Sequence, residues 1–239
     1  GLNQGVIMLV VVFAVVLAPA ALFARFAPAG VSIAKAEGTI WQAELTGLTL
    51  NGLPVERASW HLQTGQLLQG RVIGQAQFSG GGLAGDVGVL GNFAGDRRLI
   101  AKDLVLNQLP LAEGVALQGQ TRARDVDVTM VDGRCQTAQG IVDSAVLVDN
   151  AALLGWAGPP LSGSFACVGE NAEVAMTGVV GEDRVRLLLS LRPNGTGQWR
   201  AELTTARVQT QAQLVALGFA PDGGTNTLVR TGEMRWVPF

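Results

Sequence analysis

The sequence has no tyrosine, one histidine, two cysteines and only two lysines, Lys35 and Lys102. Charged residues make up 15 % of the chain, against about a quarter in an ordinary soluble domain. Each scarcity removes a class of function. A net charge of −2 supplies no basic face for nucleic acid. Cys135 and Cys167 are far apart and form no redox C-x-x-C, and with a single histidine they cannot complete a four-ligand zinc site. His61 is the only histidine that could act as a general base, and no Gly-x-Ser-x-Gly elbow provides it with a nucleophile. No catalytic residue, metal ligand or cofactor is called for.

Charge is also missing from one long stretch. Val6–Ala24 reads VIMLVVVFAVVLAPAALFA, and the first charge in the chain is Arg25. In a helix such a stretch rises about 28 Å, close to the roughly 30 Å of a bilayer's hydrocarbon core. We read it as a transmembrane anchor that, with its exit segment, occupies residues 1–30. A cleaved secretory signal, suggested by Ala18, Ala20, Ala21 and Ala24, competes with this reading, as does a buried core helix. The stretch is longer than the ~7–15 apolar residues of a signal and longer than most core helices. Arg25 and Lys35 lie on its C-terminal flank, which alone would place the body in the cytoplasm. The cysteines point the other way. They read either as a structural disulfide or as two buried thiols. The disulfide is favoured, worth roughly 3–4 kcal/mol and formed in an oxidising compartment.

Glycine is abundant, at 32 residues about twice the usual share. Around it the apolar residues alternate with period two, the mark of half-buried strands. Ala58, Trp60 and Leu62 share one face against Arg57, Ser59 and His61. Val72, Gly74, Ala76 and Phe78 repeat the scheme, and Leu83–Leu90 and Leu99–Leu106 are further strands. Across Thr121–Met130 the parity slips between Ala123 and Val126, which predicts a bulge. The clearest hairpin sets Val185, Leu187, Leu189 and Leu191 against Trp199, Ala201 and Leu203 across PNGTG. Gly38–Trp41 (GTIW) sits in a β-like run, and Asn51-Gly52 marks a turn. Short helices are predicted within Ser144–Trp156, ended by Pro159-Pro160, and over Thr210–Leu217, capped by Gly218. A last strand is Thr227–Trp236. The fold class is therefore mainly β. The N-terminal transmembrane helix precedes an antiparallel, glycine-rich sheet or sandwich of ten to twelve strands over residues 31–239, with one or two short helices.

Three motifs invite chemistry and fail on context. Gly80-x-Gly82-x-x-Gly85 matches the dinucleotide fingerprint, but DVGVLGN follows instead of the helix whose amides would meet a pyrophosphate. Asp125, Asp127 and Asp132 resemble a cation loop, but the third acid comes too late. Asn194-Gly195-Thr196 matches a glycosylation sequon and is better explained as the hairpin turn.

The chain resembles protein N of the bacterial type II secretion system. The features that carry the resemblance are the N-terminal span and then GTIW, followed by Trp60-x-Leu62 and QLLQG (Gln66–Gly70). The Cys135…Cys167 pair with Gly163, the leucine-rich hairpin with Trp199, and Leu217–Phe219 complete them. The resemblance implies a single-pass inner-membrane protein whose body lies in the periplasm, with no established enzymatic activity. Its implied partners are other inner-membrane components of the secretion machine. Gly38, Thr39, Ile40, Trp41 and Trp60 are candidates for that contact, with burial in the core as the alternative for both tryptophans. A second resemblance is to periplasmic lipid-handling proteins of the AsmA type, which implies phospholipid as a ligand.

Overall fold

The computed structural model describes residues 31–235, apart from 51, 113–114, 193, 195 and 224–225. The stretch read as an anchor lies outside them. Among the described residues no helix is long and apolar enough to cross a membrane.

Among the described residues fourteen strands form one sheet. In chain order they are β1 (Val31–Gly38), β2 (Gln42–Leu50), β3 (Leu53–Leu62), β4 (Arg71–Gly81), β5 (Leu83–Asn92), β6 (Arg97–Ala112) and β7 (Val115–Val131). They continue as β8 (Arg134–Ser144), β9 (Leu161–Val168), β10 (Asn171–Val180), β11 (Asp183–Leu191), β12 (Thr196–Thr204), β13 (Ala220–Pro221) and β14 (Thr227–Arg235). The spatial order follows the chain from β1 to β12, then β14 and β13. Every pairing is antiparallel, so local hairpins build the fold without crossover helices. The sheet is open among the described residues, with β1 at one edge and the two-residue β13 at the other.

Among the described residues four short helices interrupt the meander. Helix α1 (Thr64–Leu67) joins β3 to β4, α2 (Val146–Asp149) and α3 (Ala151–Leu154) lie between β8 and β9, and α4 (Val208–Ala216) follows β12. The sequence predicted one or two. The extra ones are single turns, too short to show a helical period. Gly155, at φ 62°, ends α3 in the left-handed conformation that the chain needs before Pro159-Pro160.

The sheet replaces the sandwich alternative: no second sheet covers it among the described residues. Its two faces differ sharply. Along the ladders Ala36 lies opposite Leu45, and the same row runs through Ala58, Phe78, Gly85, Leu104, Ala123 and Val142. It continues through Gly163, Met176, Leu187 and Ala201. From β1 to β12 this row carries no charge, and it ends at Arg230 in β14. We call this the inner face. It holds both main apolar clusters, one around Leu45, Leu48 and Val55, the other from Val87 to Leu228.

Candidate functional site: faces and ends of the sheet

The outer face is charged, and several of its charges are paired across strands. Arg98 of β6 reaches Asp127 of β7 with both nitrogens, Nε at 2.8 Å and Nη2 at 2.6 Å. Arg122 grips Asp103 in the same bidentate way, and Arg124 reaches Asp143 of β8. The hydrogen bond from Arg98 holds the Asp127 carboxyl below the usual carboxylate range, and that from Arg122 does the same for Asp103. The acids read as a cation cluster are thus dispersed. Asp127 is committed to Arg98, Asp125 forms the bulge at φ 51°, and Asp132 turns the chain from β7 to β8 at φ 49°. No group of three potential metal ligands occurs among the described residues.

His61 lies exposed on this face, opposite Gln42 and Gln75, with no acid or nucleophile directly opposite it. Gly80 and Gly82 flank the β4–β5 hairpin, so no helix starts at the glycine fingerprint. Asn194 Oδ1 accepts from the Thr196 amide at 3.0 Å and from its hydroxyl at 2.7 Å, the bonding of a side-chain-stabilised turn.

GTIW is a turn, not the strand segment expected from the sequence. Gly38 ends β1 at φ 95°, where an added Cβ would run into the Gln42 carbonyl oxygen. Thr39 Oγ1 accepts from the Trp41 and Gln42 amides, both at 3.3 Å. The Trp60 indole reaches over from β3 and donates to the Ile40 carbonyl at 3.1 Å. The two halves of the expected contact, Gly38–Trp41 and Trp60, are therefore brought together. Trp41 and Trp60 are both half-buried, neither core nor free surface.

The strands' ends also differ. At the end where Val31 opens β1 lie α2, α3, α4 and the β10–β11 turn, and these elements close over the inner face. Trp156, from the segment after α3, and Leu214 of α4 pack in one cluster with Val185, Leu203 and Leu228. Asp183, 2 % exposed, pins them: Trp156 Nε1 donates to its Oδ2 at 2.8 Å, and Arg207 Nε stands 3.4 Å from the same oxygen. Neither Asp183 nor this cover was singled out in the sequence; an acid just after a Gly-Glu turn gives no signal of burial. At the opposite end the inner face stays half-open, with Val89, Leu99, Val128, Phe165 and Leu189 only partly buried. The same end carries the GTIW turn, α1 and the Cys135–Cys167 disulfide, with an S–S distance of 2.04 Å.

Comparison with known proteins adds one match. The family model for protein N of the type II secretion system (T2SS) fits residues 29–229. No curated protein and no solved structure matches the chain. The fitted span takes in almost all of the described sheet, from β1 into β14, and the disulfide and the GTIW turn with it. This chain belongs to the type II secretion system protein N family.

Proposed function

We propose that the protein is an accessory inner-membrane component of the type II secretion machinery whose periplasmic β domain acts by protein–protein contact in the export of folded proteins. The observation that carries the reading is the family match over residues 29–229, a family of accessory secretion components and not a known enzyme family. The disulfide supports the periplasmic location, because such bonds persist in oxidising compartments. The uncharged stretch Val6–Ala24 supports single-pass anchoring with the C-terminal domain outside the cytoplasm.

For the contact itself, two features favour the β1 side of the sheet. Among the described residues the edge of β1 is eight residues long and pairs on one side only, whereas the outer side of β14 is partly covered, β13 with Pro221 pairing over Leu228 and Val229. The GTIW turn, held by Trp60, continues that edge and gives it a fixed end. A partner strand would add there through backbone hydrogen bonds, with Gly38–Trp41 and Trp60 setting the boundary. The test is a photocrosslinking residue placed singly at Lys35 or Thr39 in cells that export a folded reporter. Crosslinks to another inner-membrane secretion component support the contact, and deletion of the gene should lower reporter export. Unchanged export after deletion sinks the functional reading.

A second reading rests on the inner face. Its charge-free row from Ala36 to Ala201 is half-open at the GTIW end, and a hydrocarbon chain fits such a surface. On that reading phospholipid is a ligand and the protein handles lipid in the manner of AsmA-type proteins. Phospholipid that co-purifies in stoichiometric amount would favour it.

A further inference from the structure

We propose that the end of the sheet where Val31 lies rests on a phospholipid bilayer surface, the same bilayer that residues 6–24 span; the placement rests on that reading of the stretch. The observation is a patch of exposed aliphatic side chains built by three separate connections. Leu153 of α3 is 69 % exposed, Val179 beside the β10–β11 turn 63 %, and Val208 of α4 78 %. Val180 and Val215 extend the patch from the same hairpin and helix.

These side chains share one end of the molecule because named contacts hold their carriers together. Asp183, the first residue of β11, binds Trp156 just after α3 and faces Arg207 just before α4. Gln213 of α4 lies over Gly155, so that a Cβ at Gly155 would run into its amide. The connections that hide Trp156 and Leu214 on the inner face thus turn other apolar side chains outward. An aqueous surface gains nothing from them, and exposed apolar side chains gathered at one end of a molecule point to a contact there.

The occupant is argued from the tether. Only residues 25–30 separate the uncharged stretch from Val31, and fully extended they reach about 20 Å at most. The tether therefore holds the Val31 end of β1 within that reach of the bilayer, and the patch lies along the same end of the strands, nine strands away at about 4.8 Å each. Arg184 pairs with Val179 in the ladder and is exposed, with no ion-pair partner among the described residues. A free guanidinium beside aliphatic side chains suits a phosphate headgroup above acyl chains. Leu68 and Phe93, also exposed, lie at the opposite end and serve as controls.

The test uses the full-length protein in vesicles of phosphatidylethanolamine and phosphatidylglycerol. Benzoylphenylalanine is placed singly at Leu153, Val179 and Val208, at Leu68 and Phe93, and at Phe13 within the uncharged stretch. After irradiation, phospholipid adducts are read by mass spectrometry. Adducts at Phe13, Leu153, Val179 and Val208, several-fold above those at Leu68 and Phe93, are the expected result. Adducts at Phe13 alone would overturn the placement and leave the span standing. Absence of adducts at Phe13 would overturn the span, and the placement with it. Equal labelling at both ends of the sheet would also overturn the placement.

Discussion

Cys135 and Cys167 are bonded across the place where the ladder between β8 and β9 gives out. The two strands pair only from Ile141 to Ser144 against Leu161 to Ser164, one of the shortest ladders between neighbouring strands in the sheet. Toward the GTIW end no pairing follows, and the seam is closed by the disulfide, with a Cα–Cα distance of 5.5 Å, and by a 2.9 Å hydrogen bond from the Cys135 amide to the Glu170 carbonyl. The bond is thus a staple at a weak seam of a sheet otherwise laddered from β1 to β12.

Removing the staple has a size and a place. The Cys135→Ala/Cys167→Ala variant should lose about 3–4 kcal/mol of stability in denaturant titrations. Hydrogen exchange should then quicken first in Gln136–Gly140 and Phe165–Val168, ahead of the long β6–β7 ladder. Uniform acceleration over the whole sheet would count against the staple reading.

Asp183 carries the cover of the inner face. Asp183→Ala leaves the Trp156 indole N–H without its partner in a buried site and should cost about 1–3 kcal/mol. The tryptophan near-ultraviolet signal should change with it. Asp183→Asn keeps an acceptor for Trp156 but loses the charge facing Arg207, and should cost less than the alanine.

Gly38 is fixed by its backbone. At φ 95°, with the Gln42 carbonyl where a Cβ would stand, Gly38→Ala should cost about 1–3 kcal/mol. The Trp60-to-Ile40 hydrogen bond should loosen, which a shift of the indole N–H resonance would report. A neutral effect would mean the turn re-forms without Gly38.

The cross-strand ion pairs set an acid limit. Asp103 and Asp127 titrate below the ordinary carboxylate value in the folded state, so the unfolded chain binds protons first as pH falls. Their stabilisation is fully present above about pH 4, near the unfolded value, and is lost as pH drops through the lower folded values. Melting temperature should therefore hold from neutral pH to about pH 5 and fall below about pH 4. Asp127→Asn should flatten that fall.

Much of the fold was legible in the sequence because period-two alternation reports strands directly. The hairpin placing Leu189 opposite Trp199 and Leu187 opposite Ala201 stands as expected. So does the bulge, where the β7–β8 register shifts between Arg124 and Asp127. Helix α4 starts two residues earlier than expected and ends before Gly218, which takes φ 87°. The last strand agrees as far as Arg235, its expected end at Trp236 lying outside the described residues. What alternation cannot report is what covers an apolar face, and so a sandwich stayed open where one sheet stands. GTIW was read as strand because its turn is made by Thr39 and by Trp60 twenty residues away, not by an Asn-Gly pair. The strand β13 escaped notice because two residues carry no period.

The most direct test of the central claim is affinity purification of the full-length protein from gently solubilised membranes, with mass spectrometry of proteins and lipids together. The account predicts recovery of inner-membrane components of the type II secretion system, without phospholipid bound in stoichiometric amount. Stoichiometric phospholipid with no secretion component would contradict it and favour a lipid-handling protein.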